Sequence, residues 1–208
     1  ISVLIISGAL NFYYFLDNTA IKYNFHKVLG DELVSTERDS IILHGKEIEL
    51  STAIAFELKT GCLWGERYSN IVLESNPGGK NKVADYLINR LKSCGVTSSI
   101  VSAGSSCKSS CTALWASMDS RKLAENAELG FHRTFTADLE DAFDDFPRWY
   151  GMAFSSRTID WISSIPSCEM CFVDEKALDN IEGLPEKVLA EDIVCPDLRP
   201  NPVARCKS

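Results

Sequence analysis

Positive charge is scarce in this chain. Lys and Arg number 21 against 29 Asp and Glu, giving a formal net charge of −8, and no long basic run breaks that balance. Nucleic acid is held by clustered cations, so the charge balance argues against a nucleic-acid partner. The phosphate-loop pattern G-x-x-x-x-G-K-[ST] is absent, which removes one common fingerprint of nucleotide binding. Histidine occurs only at positions 26, 44 and 132. None lies close in sequence to a cysteine pair, and a structural zinc centre needs a full set of four ligands. There is no internal repeat and no low-complexity segment.

What is present is ordinary globular material. The 208 residues are 45% apolar and 24% charged, which suits one domain with a sizeable core. Residues 1–16, ISVLIISGALNFYYFL, carry no charge. They fall short of the roughly 20 apolar residues that span a bilayer. Joined to residues upstream of Ile1, they would complete a signal anchor or the apolar core of a signal peptide. A buried first strand or core helix is the competing reading. Export, or attachment to a membrane through this segment, is the expectation taken forward. Eight cysteines, an even number, then favour disulfides. Zinc competes, because Cys168-Glu-Met-Cys171 has a two-residue ligand gap, with Cys107 and Cys111 as the candidate second half. Cys195 and Cys206 bracket a proline-rich tail, residues 195–208, and would staple it to itself.

Residues 17–39 read as a polar lead-in. Ser40–Leu50 begins as a strand and turns at His44-Gly45. Ser51 is placed to cap a helix over Thr52–Leu63. Asn70–Glu74 reads as a short buried strand, and Val83, Ala84, Leu87, Ile88 and Leu91 recur at helical spacing up to Cys94-Gly95. Val96–Ala103 is a strand, Ser109–Met118 a helix and Glu128–His132 a strand. The segment 136–146, TADLEDAFDDF, is acidic and solvated. Arg148–Ile165 is amphipathic, and Asp174 would cap a short helix ending near Gly183. Strands alternating with helices predict an α/β fold with crossover connections. Such sheets gather their functional groups at the carboxyl ends of the strands.

Three short motifs would meet at those ends. Pro77-Gly78-Gly79 lies between a strand and a helix start, where glycine leaves backbone N–H groups uncovered for negative charge. Aimed at a tetrahedral intermediate, such groups form an oxyanion hole; a plain turn is the simpler use. Cys107-Lys108-Ser109-Ser110-Cys111-Thr112 lies at another strand-to-helix junction. A serine there would stand above the sheet, although serine is also a common helix cap. His132 ends an apolar strand, where a general base would be useful and where a structural histidine would also fit. Cys107 and Cys111 flank Ser109 and would bond each other, or Cys94 or Cys62.

The order of these motifs, a Pro-Gly-Gly turn, then Cys-x-Ser-x-Cys-Thr, then Leu129-Gly130-Phe131-His132, resembles the ClpP-like branch of the ClpP/crotonase superfamily, especially its exported members. The resemblance covers about residues 40–185 and is best from Ile71 to His132. It implies a spiral of β-β-α units. It also implies Ser109 as nucleophile, His132 as general base, and the N–H groups of Gly78 or Gly79 and of Ser110 as the oxyanion hole. There are departures. Ser75-Asn76-Pro77 replaces Asn-Ser-Pro, and Lys108 stands where a small residue is usual. Met170 falls at the place of the triad aspartate. Glu169 beside it, or Asp174, would have to substitute; otherwise the chain carries a Ser-His dyad or an inactive site.

The resemblance therefore implies a serine hydrolase, chiefly a peptidase, acting on a polypeptide or ester substrate with no cofactor and no metal. The competing expectation is a ClpP-like binding or scaffold module at the membrane that has lost activity. An acyl-CoA enzyme of the crotonase branch ranks last, since a Ser-then-His order has no place there. Relatives of this kind assemble through their helices, so a homo-oligomer is a further implication. Tyr86 and the run Phe143–Phe154 would serve such an interface or the helix core.

Overall fold

The computed structural model describes residues 33–133, 154, 156–182, 195 and 197–200. The uncharged N-terminal segment, the acidic segment 136–146 and residues 201–208 lie outside the described residues. No helix among the described residues is long and apolar enough to cross a membrane.

The fold is mixed α/β, with two mixed sheets and, among the described residues, five helices. The strands are β1 (Val34–Glu37), β2 (Ser40–Leu43), β3 (Asn70–Leu73), β4 (Ser98–Val101), β5 (Ser106–Lys108), β6 (Ser120–Leu123), β7 (Glu128–Phe131), β8 (Glu169–Val173) and β9 (Asp197–Pro200). The helices are α1 (Leu50–Thr60), α2 (Asn81–Ser93), α3 (Ser110–Ala116), α4 (Ser156–Ser164) and α5 (Glu175–Glu182). The first sheet runs β1-β2-β3-β4-β6, antiparallel at β1 and parallel elsewhere. The second runs β5-β7-β8-β9, with β5 and β7 parallel and the rest antiparallel.

Strand pleating explains which face is buried. Leu43, Leu73, Val101 and Leu123 form one row across the first sheet, and all are buried. One residue earlier, Ile42, Val72 and Ile100 form the row on the opposite face and are half-buried. Helix α2 turns Ala84, Leu87, Ile88 and Leu91 inward at helical spacing. Every residue of α3 is buried, so the helix that follows Ser109 is central to the core.

The chain repeats one course. After β2, residues 46–48 run beside 76–79, and those run beside β5. Asn76 Nδ2 donates to Lys46 O, Ile48 N–H to Gly78 O, Lys108 N–H to Asn76 O and Ser109 N–H to Gly130 O. Each parallel strand of the first sheet thus leads into a segment aligned with the second sheet, whereas β1 turns straight back into β2. After the first three such segments the chain enters α1, α2 and α3 in turn.

Several sequence expectations need correction. Val34–Glu37, inside the supposed lead-in, is a strand: Val34 is buried opposite Leu43 and anchors the edge of the first sheet. Helix α1 is capped by Glu49, not Ser51. The Glu49 side chain and backbone N–H form a reciprocal box with Thr52, and Gly61 at φ +61° ends the helix at Thr60. Cys195 bonds Cys171, so the tail is not stapled to itself at this point. The pairing of β9 with β8 carries the chain back past Cys171 and brings the two sulfurs together.

Cys62–Cys94 and Cys107–Cys111 are the other two bridges between described residues, and Cys168 is also disulfide-bonded. With Cys168 and Cys171 both oxidised, that pair offers no thiolate to zinc. These bridges fit an oxidising, extracytoplasmic environment.

Candidate active site

Ser109 occupies the junction of β5 and α3 with φ +52° and ψ −128°. A residue with a Cβ rarely adopts this conformation, and holding it costs about 1–3 kcal/mol. The surrounding bonds hold the turn from both sides. Ser109 N–H donates to Gly130 O at 2.8 Å. Ser109 O accepts from the Thr112 N–H at 2.9 Å and from the Thr112 hydroxyl at 2.6 Å.

The Cys107–Cys111 disulfide closes over the same turn, with a sequence separation of 4. Chain entropy makes so short a loop worth only about 2 kcal/mol, against about 4 kcal/mol for the Cys62–Cys94 loop, whose separation is 32. The short bridge therefore contributes more to the shape of the serine turn than to global stability.

The glycine turn lies directly on the serine. A Cβ added to Gly78 would come 2.6 Å from Ser109 Cβ and 2.5 Å from Lys108 O. Gly78 and Gly79 both have positive φ, +87° and +151°. A Cβ on Gly79 would collide with Ile48 O. Asn76, fully buried, organises this turn: its Nδ2 donates to Lys46 O at 2.8 Å and its Oδ1 accepts the Gly78 N–H at 2.9 Å. The Gly78 N–H is thus already committed.

Gly79 is bracketed by Ile48, which donates to Gly78 O and accepts from Lys80 N–H. In parallel pairing the bracketed residue turns its own N–H and C=O to the other side. The Ser110 hydroxyl donates to Gly79 O at 3.3 Å, so that other side faces the Ser109–Ser110 turn. Ser110 begins α3, and the first N–H groups of a helix have no partner within it. Among the described residues no acceptor takes the N–H of Gly79 or of Ser110.

His132 follows β7 directly. Lys108 pairs with Gly130 in parallel register, so Ser109 and His132 emerge from the same ends of neighbouring strands. His132 is 5% exposed. Its Nδ1 lies 2.7 Å from Arg133 O. A carbonyl only accepts, so Nδ1 carries the hydrogen and the lone pair belongs to Nε2. Burial holds the imidazole pKa below the ordinary 6.5, partly offset by the Arg133 carbonyl. The ring is therefore neutral at pH 7, as a general base must be.

The carboxylate candidates do not join it. Glu169 opens β8 and is half-buried. Asp174 is exposed, and its Oδ1 accepts the Ala177 N–H at 2.9 Å, capping α5. Among the described residues no hydrogen bond or ion pair links either carboxylate to His132. The β7–β8 register, continued by one residue, sets Met170 across from His132. Met170 is buried, and a Cβ on Gly130 would meet its Sδ at 2.6 Å. Lys108 turns its ammonium over the Phe172 ring, 5.5 Å from the centroid.

Ser109, Ser110, Gly78, Gly79 and His132 thus share one end of the strands, while Asp174 caps α5 and Glu169 makes no bond to His132 among the described residues. Two contributors had no sequence signal. The role of Asn76 depends on three segments meeting, and the Arg133 contribution is a main-chain carbonyl that any residue supplies. No protein-family model and no curated protein matches the chain.

Proposed function

We propose that this protein is an exported ClpP-like serine hydrolase that cleaves polypeptide or ester substrates by acyl transfer. Ser109 Oγ attacks the carbonyl carbon as its proton passes to His132 Nε2. The N–H groups of Gly79 and Ser110 hold the developing oxyanion; Gly78 serves by its shape, letting the turn lie against the serine. His132 returns the proton to the leaving amine or alcohol, and water then releases the acyl group. One such backbone donor is typically worth about 3–4 kcal/mol of barrier.

The observation that carries this reading is the Ser109 backbone. A non-glycine residue is held at φ +52° between a strand and a helix, under a glycine whose Cβ could not be accommodated. A capping serine needs neither feature. The alternation of strands between two sheets, with helices between the turns, supports a spiral of β-β-α units. The disulfides support export, and attachment through the N-terminal segment belongs to the same proposal. No cofactor or metal enters the chemistry.

A second reading has its own support. Among the described residues, the group that meets His132 Nδ1 is a main-chain carbonyl. It fixes the tautomer without a full countercharge for the imidazolium. That arrangement also suits an inactive ClpP-like scaffold. Labelling with a fluorophosphonate, with the adduct mapped to its residue, separates the two. The hydrolase reading expects an adduct on Ser109 that disappears in Ser109→Ala and in His132→Ala. A folded, disulfide-intact wild type with Ser109 unlabelled would establish the scaffold.

A further inference from the structure

A second serine carries a complete side-chain relay. Ser35 lies in β1, His44 follows β2 and Glu74 follows β3. Antiparallel pairing sets Ser35 across from Ile42, and parallel pairing sets Leu43 beside Leu73. His44 and Glu74 therefore leave their strands side by side. The Ser35 hydroxyl is 2.8 Å from His44 Nε2, and His44 Nδ1 is 2.8 Å from Glu74 Oε2. A carboxylate only accepts, so Nδ1 carries the hydrogen and Nε2 accepts from the serine O–H.

This is the connectivity of a nucleophile, a base and an orienting acid. It stands on the face of the first sheet opposite the buried row of Leu43, Leu73 and Val101, and none of its three side chains belongs to the group assigned to Ser109. We infer that Ser35, His44 and Glu74 form a second nucleophilic site, which is acylated by small activated esters.

The surroundings define that substrate class. The His44 and Glu74 side chains are 27% and 43% exposed. Ile42 and Val72, half-buried in the same row of the sheet as Ser35, give a short acyl group an apolar footing. On so open a face, water holds most of the charge on the carbonyl oxygen. Amides, with poor leaving groups, need more stabilisation than that, so the site takes esters whose alcohol leaves readily.

In the first step Ser35 Oγ bonds to the ester carbonyl carbon and its proton moves to His44 Nε2. The bond to the leaving oxygen then breaks, and the departing alkoxide takes that proton. Water, deprotonated by His44, attacks the acyl-serine; the carboxylic acid leaves and the Ser35 hydroxyl is restored. Glu74 is a positioning residue, holding the ring and balancing its transient charge.

The test uses the full chain carrying Ser109→Ala, so its result does not depend on the first site. The protein is treated with a fluorophosphonate and the adduct is located by peptide mass spectrometry. The expected adduct is on Ser35. It forms about a hundredfold more slowly when His44→Gln is added. Glu74→Ala also slows it, and Glu74→Asp restores part of the rate, which loss of a merely structural clasp would not produce. Absence of an adduct on Ser35, or a rate indifferent to His44→Gln, overturns the inference and leaves a clasp between three strands. Should His44→Gln fail to fold, Ser35→Ala on the same background removes only a hydroxyl from a half-buried strand position. Hydrolysis of p-nitrophenyl acetate must then fall to that of the denatured chain, and equal rates with and without this hydroxyl overturn the proposal.

Discussion

Ser109 stands on a turn at φ +52°, pressed by a glycine and closed over by a disulfide, whereas Ser35 stands half-buried in a regular strand. Around Ser109 the backbone is the specialised part. The N–H groups of Gly79 and Ser110 meet no acceptor among the described residues, and the imidazole is buried with a main-chain carbonyl at Nδ1. Around Ser35 the side chains are the specialised part. The serine, imidazole and carboxylate are linked end to end, on an ordinary ladder.

The difference separates two contributions that usually come together. A polarised hydroxyl attacks readily. A preorganised oxyanion cradle stabilises the tetrahedral intermediate, usually the largest single contribution to lowering the barrier, and the imidazole then supplies the proton that a poor leaving group needs. Under the proposed function, amide cleavage would fall to Ser109, whose His132 Nδ1 meets a main-chain carbonyl among the described residues, and Ser35 would be limited to activated esters although a carboxylate meets its imidazole.

The sharpest way to break this comparison is Gly78→Ala. The new methyl would meet Lys108 O at 2.5 Å and Ser109 Cβ at 2.6 Å, at a φ of +87°. Overpacking and backbone strain together should cost about 2–5 kcal/mol, read as a fall in thermal midpoint. Labelling of Ser109 should be lost in whatever fraction stays folded, while labelling of Ser35 persists. Gly104→Ala is the control: φ there is +66°, but the added Cβ meets nothing within 4 Å. It should cost about 1–2 kcal/mol and leave both serines reactive. Equal loss at both serines in Gly78→Ala would mean that the glycine acts through global stability alone.

Replacing Cys107 and Cys111 together by serine has the next largest effect. The chain-entropy loss is about 2 kcal/mol, less than removing Cys62–Cys94 would cost. If the bridge chiefly holds the strained serine, Ser109 labelling should slow about tenfold or more, since a misplacement near 1 Å can cost about a hundredfold. The Cys62→Ser, Cys94→Ser pair should lower the thermal midpoint further and slow labelling less. The reverse order would show that the short bridge is an ordinary staple.

How much of this was legible in the sequence follows from which forces leave a local trace. Burial on one face leaves periodicity, so α2 was readable from Val83 to Leu91 and β3 from its apolar run. Strand β6, Ser-Arg-Lys-Leu, buries only Leu123 and left none; β5 is three residues long and merged into the serine loop. Strand β1 hid in a polar segment because only Val34 of its four residues is buried.

The Pro-Gly-Gly turn was readable because backbone contact demands glycine itself. Its donor was not: Asn76 takes one of the two candidate N–H groups, and that depends on tertiary placement. The Ser35 relay joins positions 35, 44 and 74. No motif spans them, and only the parallel register of Ser-Ile-Ile-Leu-His with Asn-Ile-Val-Leu-Glu brings the last two together. The cysteine count indicated bridges, but pairing Cys171 with Cys195 required β9, a strand of four exposed residues.

The smallest expected effect concerns the buried imidazole and is read by pH. Burial holds the folded-state pKa of His132 below 6.5. The neutral ring is the active form, so Ser109 labelling should stay level as pH falls through 6.5 and decline only in more acid solution. Stability, unlike labelling, already changes over that window. Below 6.5 the unfolded chain takes up a proton that the folded chain resists, so folding weakens until the folded pKa is passed, by at most about 1.4 kcal/mol per pH unit. His132→Gln should abolish both the acid limb of labelling and this part of the pH dependence of the thermal midpoint. An acid limb at or above 6.5 in the folded wild type would mean that the ring is charged more easily than its burial allows. In that case a carboxylate reaches His132 in solution, and the relay at Ser109 is as complete as the one at Ser35.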